Sequence, residues 1–126
     1  MGIDDSRSFT PIGIALITVS DTREPATDSS GDILEARVRE AGHILIERTI
    51  CPDDAGEIYD LLRRFIASRD VDCVITTGGT GLTGRDVTPE ALDRVKDKDI
   101  PGFGELFRWI SYEQIGTSTI QSRACA

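Results

Sequence analysis

A chain of 126 residues with 22 acidic against 14 basic side chains carries a formal net charge of −8 at neutral pH, which argues against a nucleic-acid backbone or an anionic membrane as partner. That length supports one domain with an ordinary hydrophobic core. Three cysteines without C-x-x-C spacing and a single histidine assemble neither a zinc set nor a paired disulfide framework, a pattern that suits a reducing cytoplasm.

The N-terminal residues Met1 to Arg7 lack the basic and apolar regions of a signal peptide. They match the myristoylation pattern M-G-x-x-x-S, but acidic neighbours and no polybasic second signal speak against its use. Residues 1–10 are expected to form a flexible segment and residues 11–126 a single domain. Ile12 to Val19 reads as a buried strand, far too short to span a bilayer, ending at Ser20-Asp21. A polar stretch from Thr22 to Ser30 precedes a helix predicted over Gly31 to Ala41 and closed by Gly42. His43 to Ile50 is the second predicted strand, running into Cys51-Pro52-Asp53-Asp54. Asp54 and Glu57 resemble a capping box, and Ile58, Leu61, Leu62, Phe65 and Ile66 form one apolar helical face.

The third predicted strand, Val71 to Thr77, feeds four glycines within seven residues, Gly78, Gly79, Gly81 and Gly84. Thr88-Pro89-Glu90 then reads as a helix start, with Thr88 as cap and Pro89 where no amide is needed. After a break at Ile100-Pro101-Gly102, Phe103, Leu106, Phe107 and Ile110 recur at helical spacing, which favours a core face. The tail from Thr117 to Ala126 shows no decisive pattern.

Strands alternating with helices predict a parallel sheet with helices on both faces, a three-layer α/β/α domain. All strand C-termini then share one edge, where ligands bind. Each carries an acid: Asp21, the pair Asp53 and Asp54, and Asp86. Gly79-Thr80-Gly81-Leu82-Thr83-Gly84 satisfies G-x-G-x-x-G, but the helix starts too late after it for a dinucleotide fold. No Gly-Lys-Ser/Thr follows for a P-loop. A carboxylate ~4 Å from a phosphate charge costs roughly 1 kcal/mol in water and ~4 at an effective dielectric of 20. The pairing turns favourable with Mg²⁺ between them. Taken singly, the acids are ordinary turn or cap residues, and the glycines can serve a turn alone. Jointly they suggest a Mg²⁺-dependent phosphate site, with Arg85 and Arg23 available to oppose ligand charge.

The blocks Thr76-Thr77-Gly78-Gly79-Thr80-Gly81, Arg85-Asp86-Val87-Thr88-Pro89-Glu90-Ala91 and Pro101-Gly102-Phe103-Gly104-Glu105 resemble the MoaB/Mog family of molybdenum cofactor biosynthesis. The likeness runs from Ile14 to the end of the chain, and Phe107 to Ser118 is more similar to the MoaB branch. The resemblance implies a three-layer domain that binds molybdopterin and Mg-ATP, transfers AMP to the terminal phosphate of molybdopterin and releases pyrophosphate. It implies Asp53 and Asp86 as the catalytic, magnesium-associated carboxylates, and Thr77, Gly78, Gly79, Thr80 and Gly81 as the ligand cradle. Ser20 and Asp21 are weaker candidates for contacting the nucleotide. Some members of the branch lack the equivalent carboxylates; this sequence keeps both. A homotrimer or hexamer, a cytoplasmic location and other molybdenum cofactor biosynthesis proteins as partners are implied as well. Family members continue beyond the residues matching Ala126 through another strand and a Pro-Gly-Ser loop, so this chain is expected to lack the family's C-terminal strand and helix. Besides the adenylyltransferase, the same resemblance accommodates a non-catalytic molybdopterin carrier or a scaffolding module.

Overall fold

A computed structural model describes residues 2–126; Met1, which opens the predicted flexible segment and the myristoylation pattern, lies outside the described residues. Three parallel strands, β1 (Gly13–Val19), β2 (Ile44–Cys51) and β3 (Cys73–Thr77), form one sheet in the order β2-β1-β3. Their connections are α1 (Ser29–Glu40) and α2 (Ala55–Ala67); α3 (Thr88–Asp93), α4 (Pro101–Ile115) and a 3-10 turn (Gly116–Gln121) follow β3.

The central strand organises the layers. All seven residues of β1 are buried, and successive side chains point to opposite faces. Ala15, Ile17 and Val19 meet Ile58, Leu62 and Phe65 of α2 and Ala91 of α3. Ile14 and Leu16 face Val38 of α1, with Leu34 and Ile75 beside them. The expected three-layer α/β/α architecture is therefore present. Truncating Leu16 or Ile17 to alanine would cost about 2–5 kcal/mol through lost burial and the cavity left behind.

Capping explains where the helices begin. Asp54 accepts from the Gly56 and Glu57 amides at 2.9 and 3.0 Å, as an Asp cap should. α1 starts at Ser29 rather than Gly31, because the buried Asp28 is its cap, accepting from the Gly31 amide at 3.0 Å. Asp28 also receives Thr18 Oγ1 at 2.8 Å and the Arg48 guanidinium at 2.9 Å. Burial pushes its carboxyl up, but Arg48, the Gly31 amide and Thr18 outweigh that and hold it below the usual range. Gly42 closes α1 at a positive φ of 81°.

Two expectations need correction. Thr88 does not cap α3: Val87 occupies that position, and the Thr88 hydroxyl donates to the Gly78 carbonyl at 2.9 Å instead. The stripe Phe103, Leu106, Phe107 and Ile110 is not core in the single chain, where each is 46–53% exposed. Helical spacing reports an apolar stripe but not what covers it. α4 is held from its other side: Gly104 is buried against the tail, and an added Cβ there would lie 2.4 Å from the Ala124 carbonyl oxygen. No helix among the described residues is long and apolar enough to cross a membrane.

Candidate functional site

The parallel topology delivers the three strand ends to one edge. Ser20 N donates to the Cys51 carbonyl at 2.9 Å, carrying the β1–β2 pairing one residue past the strand. Asp21 Oδ1 then accepts from the Asp53 amide at 3.0 Å, and Arg85 Nε donates to Asp21 Oδ2 at 3.1 Å, with a second guanidinium nitrogen on the same oxygen. Asp21, Asp53 and the Arg85–Asp86 loop are thus linked across the sheet edge.

The glycine turn permits the close approach. Gly78 and Gly79 have positive φ of 97° and 65°, where an L side chain is strained. Space is restrictive too. A Cβ at Gly78 would sit 2.1 Å from the Val19 carbonyl oxygen; one at Gly79 would sit 2.3 Å from Thr88 Oγ1 and 3.0 Å from Asp53 Oδ1. The Thr88 amide donates to the Gly79 carbonyl at 3.0 Å, so Thr88 fastens both glycines through backbone and hydroxyl. Further along, a Cβ at Gly81 would fall 2.7 Å from Asp86 Oδ2, and that oxygen accepts from Thr83 N at 2.9 Å and Thr83 Oγ1 at 2.6 Å.

The acids sit in different fields. Desolvation raises the Asp53 carboxyl above the ordinary range; the Val87 amide opposes this, while the charges of Asp86 and Asp21 add to it. The Thr83 hydroxyl and amide hold Asp86 low. Arg85, then the Asp53 amide, do the same for Asp21. Asp53 is consequently the one of the three whose charged form its surroundings disfavour. No cluster of three or more metal-ligating side chains occurs among the described residues. Mg²⁺ is commonly held by one or two carboxylates, with water and substrate phosphates completing an oxygen shell. Asp53 and Asp86, both beside the glycine turn, fit that donor set.

Other predicted residues spread from this point. Ser20 and Asp21 line a cleft of roughly 570 Å³ with Arg23, Glu24, Pro25 and Arg48 on the β1–β2 side. Ser20 Oγ accepts from the amides of Thr22 and Arg23 at 3.3 and 3.1 Å, which shapes the cleft's rim. Asp86 lines a second, smaller hollow of roughly 260 Å³ with Thr83, Glu90 and Arg123. Asp54 stays on its helix as a cap, outside this constellation.

Arg123 is the site-adjacent residue that sequence reasoning missed. Its Nε donates to the Gly81 carbonyl at 2.8 Å and a terminal nitrogen to the Asp86 carbonyl at 2.6 Å, while the other pairs with Glu90. The tail around it has no periodicity, so no local signal could have pointed to it.

Comparison with known proteins finds relatives of the chain in sequence and in fold. A family model described as "Probable molybdopterin binding domain" matches residues 15–125. Molybdenum cofactor biosynthesis protein B of Escherichia coli (strain K12) is 46% identical over 121 residues, spanning 96% of this chain and 71% of its own length. The protein of that name from Bacillus cereus is 49% identical over 110 residues, spanning 86% of this chain and 65% of its own. A crystal structure of molybdenum cofactor biosynthesis protein B superposes with a TM-score of 0.89 at 44% identity, covering 94% of this chain and 74% of that one. The tungsten cofactor synthesizing protein MoaB from Pyrococcus furiosus superposes at 0.82 with 36% identity, again covering 94% and 74%.

Proposed function

The chain belongs to this molybdopterin-binding family of molybdenum cofactor biosynthesis proteins, and on that premise we propose that it is a molybdopterin adenylyltransferase using ATP and Mg²⁺. The observation that carries the reading is the convergence of Asp53 and Asp86, from two different strand ends, on one glycine turn. A carrier of the neutral pterin face alone has no need of two acids there. In the proposed reaction a terminal phosphate oxygen of molybdopterin forms a bond to the α-phosphorus of ATP. The bond from that phosphorus to the bridging oxygen breaks, and pyrophosphate leaves with its electron pair.

The protein's part is positioning and electrostatics. The attacking phosphate is already ionised near neutral pH, so no side chain has to remove a proton. Asp53 and Asp86 are the residues that would hold Mg²⁺, which when bound neutralises charge on the phosphates. The turn at Gly78–Gly81 brings backbone close to the ligand, and Thr88 keeps that turn rigid. Arg85, held by Asp21 in the free protein, is placed to meet nucleotide charge from the crevice rim. Ser20, Asp21, Thr77 and Thr80 complete the proposed ligand-contacting set.

The reading extends to assembly: a homotrimer or hexamer in the cytoplasm, working with other proteins of the pathway. The exposed apolar stripe of α4 supports self-association. Incubating the protein with molybdopterin, ATP and Mg²⁺ tests the chemistry. Stoichiometric pyrophosphate and adenylylated pterin are expected. Tight molybdopterin binding with no pyrophosphate at any Mg²⁺ concentration would instead establish a carrier.

A further inference from the structure

The C-terminal tail turns back beneath the glycine loop and is itself fixed there. Arg108 of α4 donates to the carbonyls of Ser122 and Ala124, both at 3.2 Å, and so grips the residues on either side of Arg123. Ile100 N donates to the Ala126 carbonyl at 2.7 Å, anchoring the strand of tail beyond it. From this base the Arg123 amide reaches the Thr80 carbonyl at 3.3 Å, and its side chain reaches the carbonyls of Gly81 and Asp86.

Gly81 and Asp86 are the two ends of the segment that carries the Asp86 carboxylate. Within it the bonds are local: Asp86 N to the Thr83 carbonyl at 3.1 Å, and Thr83 to the Asp86 side chain. Those contacts hold Asp86 to Thr83, and the exposed Arg85 side chain adds a tie to Asp21, but none of them fixes the backbone at the two ends of the turn, which keeps freedom to pivot. A planar guanidinium donating to both ends removes that freedom, because its donors are fixed relative to one another. Charge-assisted bonds of this kind are roughly twice as strong as neutral ones. Glu90, on the first turn of α3, takes the third nitrogen and fixes the plane of the fork.

We propose that Arg123 is a positioning residue that clamps the 81–86 loop at both ends and so sets where the Asp86 carboxylate stands. It does not touch the reacting atoms. Its relevance to catalysis rests on the metal–phosphate reading of the site, whereas the clamp itself is a property of the loop. An arginine serving only as a tie for the tail would matter to overall stability and not to loop order.

Two variants of the full chain separate these roles. Arg123→Lys keeps the charge but cannot span two carbonyls; Arg123→Ala removes both. Amide exchange at Thr83 and Asp86, followed by NMR or rapid-quench mass spectrometry, should accelerate about tenfold in both variants while amides of β1 stay unchanged. Affinity for Mn²⁺-ATP, read by electron paramagnetic resonance, should fall about tenfold in the lysine variant with its melting temperature retained. Unchanged loop exchange in the lysine variant overturns the clamp, even if the alanine variant unfolds. Faster loop exchange with wild-type Mn²⁺-ATP affinity overturns its link to the site. If the parent protein itself ignores Mn²⁺-ATP while loop exchange still accelerates, the nucleotide reading fails and the clamp stands.

Discussion

Asp53 and Asp86 carry opposite perturbations, and that difference separates their expected phenotypes. Asp86→Asn preserves acceptors for Thr83 while removing the charge, so turnover should drop by about two decades, the usual effect of losing one charged transition-state contact. Molybdopterin binding should survive, measured separately by equilibrium titration. Asp53→Asn should lose activity similarly, and the double variant should fall well short of the product of the two, since both serve one ion. Asp54→Asn is the control: Asn also caps helices, and neither activity nor melting should change noticeably. Asp53 makes a further prediction about stability. Its folded-state value is raised, so its contribution to stability is present at low pH and is lost as pH rises through that raised value. At neutral pH without divalent cation, Asp53→Asn should therefore raise the melting temperature. A fall in melting temperature there would show that desolvation of the carboxylate is compensated in full. Strand-end position brought Asp21, Asp53, Asp54 and Asp86 forward together as candidates, and the family resemblance alone singled out Asp53 and Asp86. Arg123 was not legible in the sequence, since its partners are backbone carbonyls forty residues upstream in the chain, or nearly so, and no local pattern encodes them.

At the scale of elements, periodicity and punctuation located the three strands and the starts of the four α-helices to within a few residues, but not the 3-10 turn at Gly116–Gln121. The Val71–Thr77 strand starts only at Cys73, although Asp72 already meets β1, its amide donating to the Gly13 carbonyl and its carboxylate receiving the Gly13 amide, both at 2.8 Å. Thr88 was misread for a general reason: a threonine before a proline at a helix start has the chemistry of a cap, and only the tertiary path of Gly78 diverts its hydroxyl. That diversion is testable. Gly79→Ala should destabilise the fold by ~2 kcal/mol or more, from the positive φ and the overlap with Thr88. Thr88→Ala alone should cost about 1 kcal/mol for the lost hydrogen bond. Combined, the two should be less destabilising than their sum, because the second makes room for the first. Chemical denaturation of the four species measures the coupling; strict additivity would mean that backbone conformation alone excludes a side chain at Gly79.

For the whole molecule, the parallel sheet and the gathering of acids at one edge followed from the alternation of strands and helices, whereas the strand order did not. What the helical spacing of Phe103, Leu106, Phe107 and Ile110 left open was the identity of the covering surface. A single chain leaves Trp109 73% exposed beside that stripe, a large apolar surface for one protomer to present to water. We expect a threefold-symmetric homo-oligomer, and light scattering at micromolar concentration should give three or six times the chain mass. Leu106→Glu should shift that mass downward while leaving the secondary structure intact by circular dichroism. A monomer for the parent protein would assign the stripe to another role.

The burial of all seven residues of β1 between two neighbours also bears on how the chain is made. During synthesis this apolar strand leaves the ribosome before its partners β2 and β3, although Leu16 pairs across to Ile75. Neither face of β1 can be covered by its native layer until α1 and α2 have followed. The nascent chain therefore carries an uncovered, β-prone segment through much of its elongation. Slow translation would lengthen that exposure, whereas a chaperone that holds short apolar strands would shorten its consequences.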